Sequence, residues 1–290
     1  MSSGVKSSAL INSENYYLLM VTLPCIFMGI VYFTPVINVL LLSVTEPQPG
    51  LQNYKLLADS SALHRIFGNT LRIGLATTAI TLVLGYLFAL GLMAMKPRER
   101  SIAFFIVLAS FWISALIRAY AWVAILQPNG VLNQLLMSIG LIDRPLALVR
   151  NEVGVIIGMV HYMLPYAILP IYTNMTGIDT RLMNAARALG ASRWRSFWWV
   201  YFPLSLPGLA GGGLLVFIFS LGFYITPAVL GGGRVVMIAE YISIQISETL
   251  RWGLATMLAT VLVLIVVSLT VWMSRFMQVG GTIAKKGGKS

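Results

Sequence analysis

Acidic residues are scarce in this chain: nine Asp and Glu stand among 290 residues, against 20 Lys and Arg. Charged residues make up only 10% of the chain, where a soluble domain carries roughly 25%. Hydrophobic residues reach 58% and mean hydropathy is +0.84, which excludes both a soluble globular domain and a disordered one. Cysteine is nearly missing. Cys25 stands alone in an apolar run and has no partner for an internal disulfide. Histidine is limited to His64 and His161, too far apart for ligand spacing, so no metal site is expected and both read as structural or loop residues. No nucleophile–base constellation is visible. The chain ends in Gly-Gly-Lys-Ser, but a phosphate-binding loop needs a glycine where Ile283 stands. ATP hydrolysis by this chain is therefore not expected.

What is present is a series of long apolar runs. A membrane-crossing helix takes about 20 residues, and six runs are long enough: about 16–44, 66–95, 102–126, 153–175, 207–230 and 253–277. Six spans with their loops use up the chain and leave no room for a soluble catalytic domain. The first run is too long for the apolar part of a cleaved signal peptide and lacks a small-residue cleavage site. None of the six contains Asp or Glu. Proton-driven carriers use intramembrane carboxylates as relays, so their absence argues against that class.

Charge sets the orientation. The N-terminal tail, Lys96–Arg100, the stretch 176–206 and the C-terminal tail together hold twelve Lys and Arg against three acids, net +9. The alternate loops hold six of each sign. Cytoplasmic loops carry the basic excess, which puts both termini in the cytoplasm. The net charge of +11 thus reads as membrane orientation rather than nucleic-acid binding.

Local signals refine the picture. Pro128-Asn129-Gly130 marks a turn before a short amphipathic helix in the outer loop 127–150. The C-terminal GGTIAKKGGKS reads as a flexible basic tail. Gly154/Gly158 and Gly208/Gly212 form two G-x-x-x-G pairs, a spacing that lets helices approach closely in lipid. Pro165 and Pro170 are expected to interrupt the fourth span, and Pro227 the fifth near its outer end. Broken helices at membrane depth need protein or a watery cavity around them, which points to a translocation path. Arg72 and Arg118 fall inside spans. Arg72 is expected to snorkel to the outer surface. Arg118 lies roughly 16 residues into the third span, about 24 Å along a helix. It either snorkels as well or faces the cavity, where it favours a ligand bearing a carboxylate or phosphonate. In the second case Tyr120, Phe223 and Tyr224 line the path, close to Pro227.

The most informative stretch is cytoplasmic, from Asp179 to Pro203. It reads as a short helix, a glycine turn at Gly190 and a second helix rich in Trp. Leu182, Ala185, Ala186 and Leu189 share one face of the first helix. On its residues alone, this unit is either an amphipathic connector resting on lipid headgroups or a contact surface for a partner. Its pattern resembles the EAA loop of type I ABC importer permeases, E-A-A-x-x-x-G-x9-I-x-L-P. Ala185, Ala186, Gly190 and Pro203 stand at matching positions, while Asn184 replaces the Glu, Val200 the Ile and Phe202 the Leu. Further stretches resemble the polyamine-type (spermidine/putrescine) permeases: Phe111–Trp122, Asn129–Asn133, Leu164-Pro165-Tyr166, Leu169–Tyr172 and Gly222–Gly232.

The resemblance implies one all-α permease domain over residues 1–290, with the type I importer fold, in a bacterial inner membrane. It implies no catalytic residue and no cofactor in this chain, ATP and Mg being held by a partner. The implied partners are two ATPase subunits, a second and different permease subunit, a periplasmic solute-binding protein and the lipid bilayer. Asn184, Ala185, Ala186, Leu189, Gly190 and Pro203 are the implied coupling residues. The implied cargo is a small polar solute: a polyamine or related amine, an amino acid or an opine-like compound. An ATP-independent carrier or channel is the main rival, and a membrane scaffold without transport the third reading. A requirement for ATP on the cytoplasmic side separates the first from both.

Overall fold

The computed structural model describes the backbone of residues 13–286 and the side chains of residues 20–275. The side chains of Lys6, Glu14, Lys285, Lys286 and Lys289, counted above toward orientation, lie outside that range. Every regular element among the described residues is helical. In lipid no water satisfies backbone groups, so long apolar runs close their hydrogen bonds within helices. They form α1 (Ser13–Thr45), α3 (Ser61–Ala94), α7 (Glu152–Thr176), α10 (Phe202–Leu221) and α12 (Trp252–Lys286). Between them lie α2 (Gln52–Asp59), α4 (Pro97–Ala109), α5 (Ala115–Leu126), α6 (Val131–Ser138), α8 (Thr180–Ala188), α9 (Arg193–Ser196) and α11 (Ile238–Ser247). Five helical stretches are long and apolar enough to cross a bilayer, and one bent pair passes the same test only when its two helices are taken together.

The core is built around α7, with α3 and α10 packed along it and α12 beside α1 and α11. At one end Ile73, Leu126, Val155, Met159, Leu230 and Met237 are buried together. At the other, nearer α8, Tyr86, Ala89, Met163, Ala167, Ile171 and Met175 are. Close helix approach rests on the expected glycines. A Cβ on Gly158 would lie 2.6 Å from Leu230 Cδ1, and one on Gly208 2.6 Å from Asn174 Cβ.

Several expectations change. The third span is two helices: Pro97–Trp112 and Ala115–Ser138 meet at 102°. Pro165 and Pro170 do not break the fourth span, because α7 runs without interruption from Glu152 to Thr176 with both prolines inside it. The Trp-rich unit is not set apart by Pro203 and Pro207. The stretch from Arg193 to Leu221 is one helical body with a wide turn at Phe197–Tyr201, and Pro203 sits in the first turn of α10, where its missing N–H is not needed. The fifth span does stop early, at Leu221, with Pro227 opening a separate wide turn to Gly231. The segment from Gly280, expected as a flexible tail, continues α12 as far as Lys286. Arg72 is paired rather than free, its guanidinium on the Glu152 carboxylate.

Candidate functional site

Two groups of residues were expected to carry function, and the structure treats them differently. The first is the loop between α7 and α10. Asp179 caps α8, its carboxylate accepting from the Arg181 N–H at 2.8 Å. The helix closes with Gly190 at φ +89°. There the Gly190 N–H donates to Arg187 O at 3.0 Å and the Ala191 N–H to Ala186 O at 3.1 Å. This double closure requires a left-handed residue, which glycine adopts without the strain of a Cβ. Ser192 then caps α9, accepting from the Arg195 N–H at 3.3 Å. The buried Ser196 hydroxyl donates to Met183 O at 3.3 Å and folds α8 back onto α9.

That closure leaves one side of α8 free. Leu189 is 90% exposed and Leu182 46%; Asn184 and Ala185 are exposed and Ala186 is half-buried. Exposed leucines beside small residues on a short, doubly capped helix form a self-contained contact surface. The loop is also fixed to the bundle. The Tyr86 and Ser205 hydroxyls meet at 2.9 Å, joining α3 to the first turn of α10. The Asn174 amide donates to Leu204 O at 3.2 Å and Ser205 O at 3.3 Å, joining α7 to the same turn. A displacement of α8 therefore reaches three spans through buried contacts.

The second group lies around the bend in the third span. No proline or glycine occurs between Ser110 and Ala115. The chain turns extended at Ile113 and Ser114, and the carbonyls freed there are taken by Arg118. Its guanidinium donates to Ser110 O and, at 3.1 Å, to Ile113 O. It lies 4.7 Å from the centre of the Tyr162 ring and is 7% exposed. Arg118 thus neither snorkels nor stands open to solvent. It serves as a cap for the bend, stacked on an aromatic face. Among the described residues it has no carboxylate partner.

Tyr162 begins an aromatic row. Its ring centre is 4.5 Å from that of Phe223 and 6.1 Å from that of Tyr166. Tyr166 is 4.8 Å from Phe219 and 5.1 Å from Phe111. The structure therefore brings Arg118 and Phe223 together through Tyr162. It does not bring in the other expected residues. Tyr120, two positions from Arg118 and so on another face of α5, is 60% exposed, and Tyr224 is 46% exposed. Pro227 is buried. The sequence did carry a signal for the missed pair, since Tyr162 and Tyr166 stand one helical turn apart beside Pro165.

Glu240, one of the six acids counted in the alternate loops, is buried. α11 packs against α12 and α3, and Glu240 is 5% exposed, with Oε2 lacking a partner. Burial pushes its carboxyl up to about 7, opposed in part by the Met237 N–H. His161, read as structural, accepts a hydrogen bond from Trp122 Nε1 at 3.1 Å.

Comparison with known proteins adds to this geometry. The family described as "Binding-protein-dependent transport system inner membrane component" matches residues 82–278. The spermidine/putrescine transport system permease protein PotB of Haemophilus influenzae is 31% identical over 242 residues, 80% of this chain and 84% of that protein. The protein of the same name from Escherichia coli K12 is 33% identical over 224 residues, 77% of this chain and 81% of that one. A chain of a bacterial alginate ABC transporter, crystallised with an alginate pentasaccharide-bound periplasmic protein, superposes with a TM-score of 0.73 at 20% identity, covering 90% of this chain and 93% of that chain.

Proposed function

The chain belongs to the binding-protein-dependent transport system inner membrane component family, and on that premise we propose that it carries a polyamine or related amine from periplasm to cytoplasm. It is the membrane permease subunit of an ATP-driven ABC importer with the all-α type I permease fold. It is not an enzyme, and ATP is hydrolysed by a partner subunit. Two ATPase subunits dock on the face that carries α8, and a second, different permease and a periplasmic solute-binding protein complete the assembly. Both termini of this chain are cytoplasmic, as the net +9 against zero requires.

The observation that carries the coupling role is the free face of α8, with Leu182 and Leu189 exposed on a helix folded onto α9 by the Ser196–Met183 contact; α9 runs on into α10, which is bonded to α3 and α7. Asn184, Ala185, Ala186, Leu189, Gly190 and Pro203 form or hold that unit. ATP binding closes the ATPase pair, α8 moves as a body with it, and the spans rock between outward- and inward-facing states. Asn184 offers the ATPase a neutral amide where the family motif has a carboxylate, so this contact does not depend on that charge.

An amine cargo is supported by the aromatic row and by the similarity to the spermidine/putrescine permeases. Arg118 is anchored in the bend by Ser110 O, Ile113 O and the Tyr162 ring, which hold the side chain in place without neutralising its charge. Tyr162, Tyr166 and Phe223 offer ring faces to a passing ammonium. The test is uptake by proteoliposomes holding the purified complex, with the solute-binding protein outside and ATP inside. Uptake of spermidine or putrescine that requires ATP is expected. Equal uptake without ATP would establish the carrier or channel instead, and ATP-driven uptake of an opine but of no amine would overturn the cargo.

A further inference from the structure

An apolar groove of about 670 Å³ runs between α3 and the continuous body of α9 and α10. One wall is Val83, Leu87 and Leu90 of α3, and the other is Trp194, Phe197 and Trp198. Much of this lining is open: Trp194 is 71% exposed, Val83 61% and Leu87 59%. The groove occupies the end of α3 nearest α8, with Leu90 about 6 Å along the helix from Ala94. Arg193 stands at its mouth. It is exposed and, among the described residues, has no acidic partner.

We propose that this groove holds an anionic phospholipid of the membrane leaflet on the α8 side, its acyl chain between α3 and the tryptophans and its phosphate on Arg193. The charge arrangement selects this occupant. The walls offer a guest almost no hydrogen-bonding group, and the one cation lies at the end where α3 leaves the bilayer. Trp194 and Trp198 have the apolar body and N–H tip that favour headgroup depth. An exposed arginine beside such a groove lays its stem on apolar surface and keeps its guanidinium in the polar headgroup layer. A helix of a second permease is the competing occupant, but helices associate in lipid over small residues. These walls are large aromatic and branched side chains instead. A lipid held there wedges the α9–α10 body against α3, next to the hydroxyl contact of Tyr86 and Ser205. It therefore supports the unit assigned above to coupling. Naming the leaflet as cytoplasmic rests on that functional reading; the site itself does not.

The test uses the purified, delipidated importer complex, with dioleoyl phosphatidylglycerol and dioleoyl phosphatidylcholine added separately and the bound lipid counted by native mass spectrometry on assembled complexes only. Wild type should retain phosphatidylglycerol over phosphatidylcholine by about fivefold, the ratio that one basic side chain contributes at an anionic surface. Arg193→Gln should bring the two lipids level. Leu87→Trp, which fills the groove, should reduce retention of both. Equal retention of the two lipids by wild type would overturn the proposal, as would unchanged phosphatidylglycerol retention in both variants. Disulfide trapping of Leu87→Cys by a cysteine in the second permease would give the groove to a protein helix. Lipid retention with a periplasmic reporter at Gly190 would keep the site and overturn only the leaflet. Retention by a complex that shows no ATP-dependent uptake would keep the site while the functional reading fails.

Discussion

The Arg118 guanidinium lies 4.7 Å from the centre of the Tyr162 ring while donating to two carbonyls at the bend of its own span. One side chain thereby satisfies backbone groups that the 102° turn would otherwise leave bare in a low-dielectric interior. Hydrogen bonds from a charged donor are worth about 1.5–3 kcal/mol each. Arg118→Gln, with a shorter reach and no charge, should destabilise the protein by roughly 2–3 kcal/mol and lower its unfolding temperature by several degrees. Arg118→Lys should rescue part of the loss, because both carbonyls are reached from the single nitrogen Nη2, while the flat stacking on the Tyr162 ring is lost. Thermal unfolding of both variants in one detergent checks this. A wild-type midpoint for Arg118→Gln would mean that the bend holds without its cap.

Coupling should fail before assembly does when the turn after α8 is altered. At φ +89° a β-branched residue is strained by about 1–2 kcal/mol, so Gly190→Val should re-aim α8. Ala186→Asp should place a charge on its contact face. Both proteins should reach the membrane and co-purify with the ATPase. ATP hydrolysis should continue while uptake falls at least tenfold. Normal uptake in both would return α8 to the role of a connector resting on headgroups.

Glycine substitutions should sort by what faces them. Gly208→Ala drives a methyl into Asn174, 2.6 Å from its Cβ, and overpacking of this kind costs about 1–3 kcal/mol. Gly91 on α3 has nothing within 4 Å. Gly91→Ala should be neutral or stabilising by up to about 1 kcal/mol through helix propensity. Unfolding midpoints of the two variants, measured side by side, should move in opposite directions.

Glu240 should give the protein a pH-dependent stability. Its folded carboxyl is pushed up to about 7, above its value in an unfolded chain, so the folded state binds the proton more tightly. Stability is then full below the unfolded value and declines as pH rises through about 7. Wild type should unfold at a lower temperature at pH 8 than at pH 5.5. Glu240→Gln should flatten that difference and be the more stable protein at pH 8. An identical pH profile for the two would place the Glu240 carboxylate in contact with water.

Topology reporters fused after Lys96, Gly190 and Ser290 should read cytoplasmic, and those near Asp59 and Asp143 periplasmic. The tenfold-or-greater coupling loss above has meaning only if Gly190 faces the ATPase, so a periplasmic signal there would remove the coupling assignment.

Sequence alone determined the environment, the helical class and the helix–turn–helix unit after α7. A run of 20 or more apolar residues has one low-energy form in lipid, so composition fixes helices whatever their neighbours are. Asp179, Gly190 and Ser192 act on backbone groups within a few positions of themselves, which is why the helix–turn–helix from 179 to 196 could be read directly. Tertiary structure decided everything that depends on what lies across a helix face. Nothing between Ser110 and Ala115 signals a bend, because the cap that stabilises it comes from Arg118, a full turn further on, and from Tyr162 on another span. Pro165 and Pro170 looked like breaks and are not, since α7 lies between α3 and α10 and its packing keeps it one continuous helix. Glu240 looked like a loop charge, but the packing of α11 on α12 and α3 buried it. Which of two exposed-looking residues faces a ring, a carbonyl or open lipid is set by contacts between segments far apart in the chain, and local pattern carries no record of them.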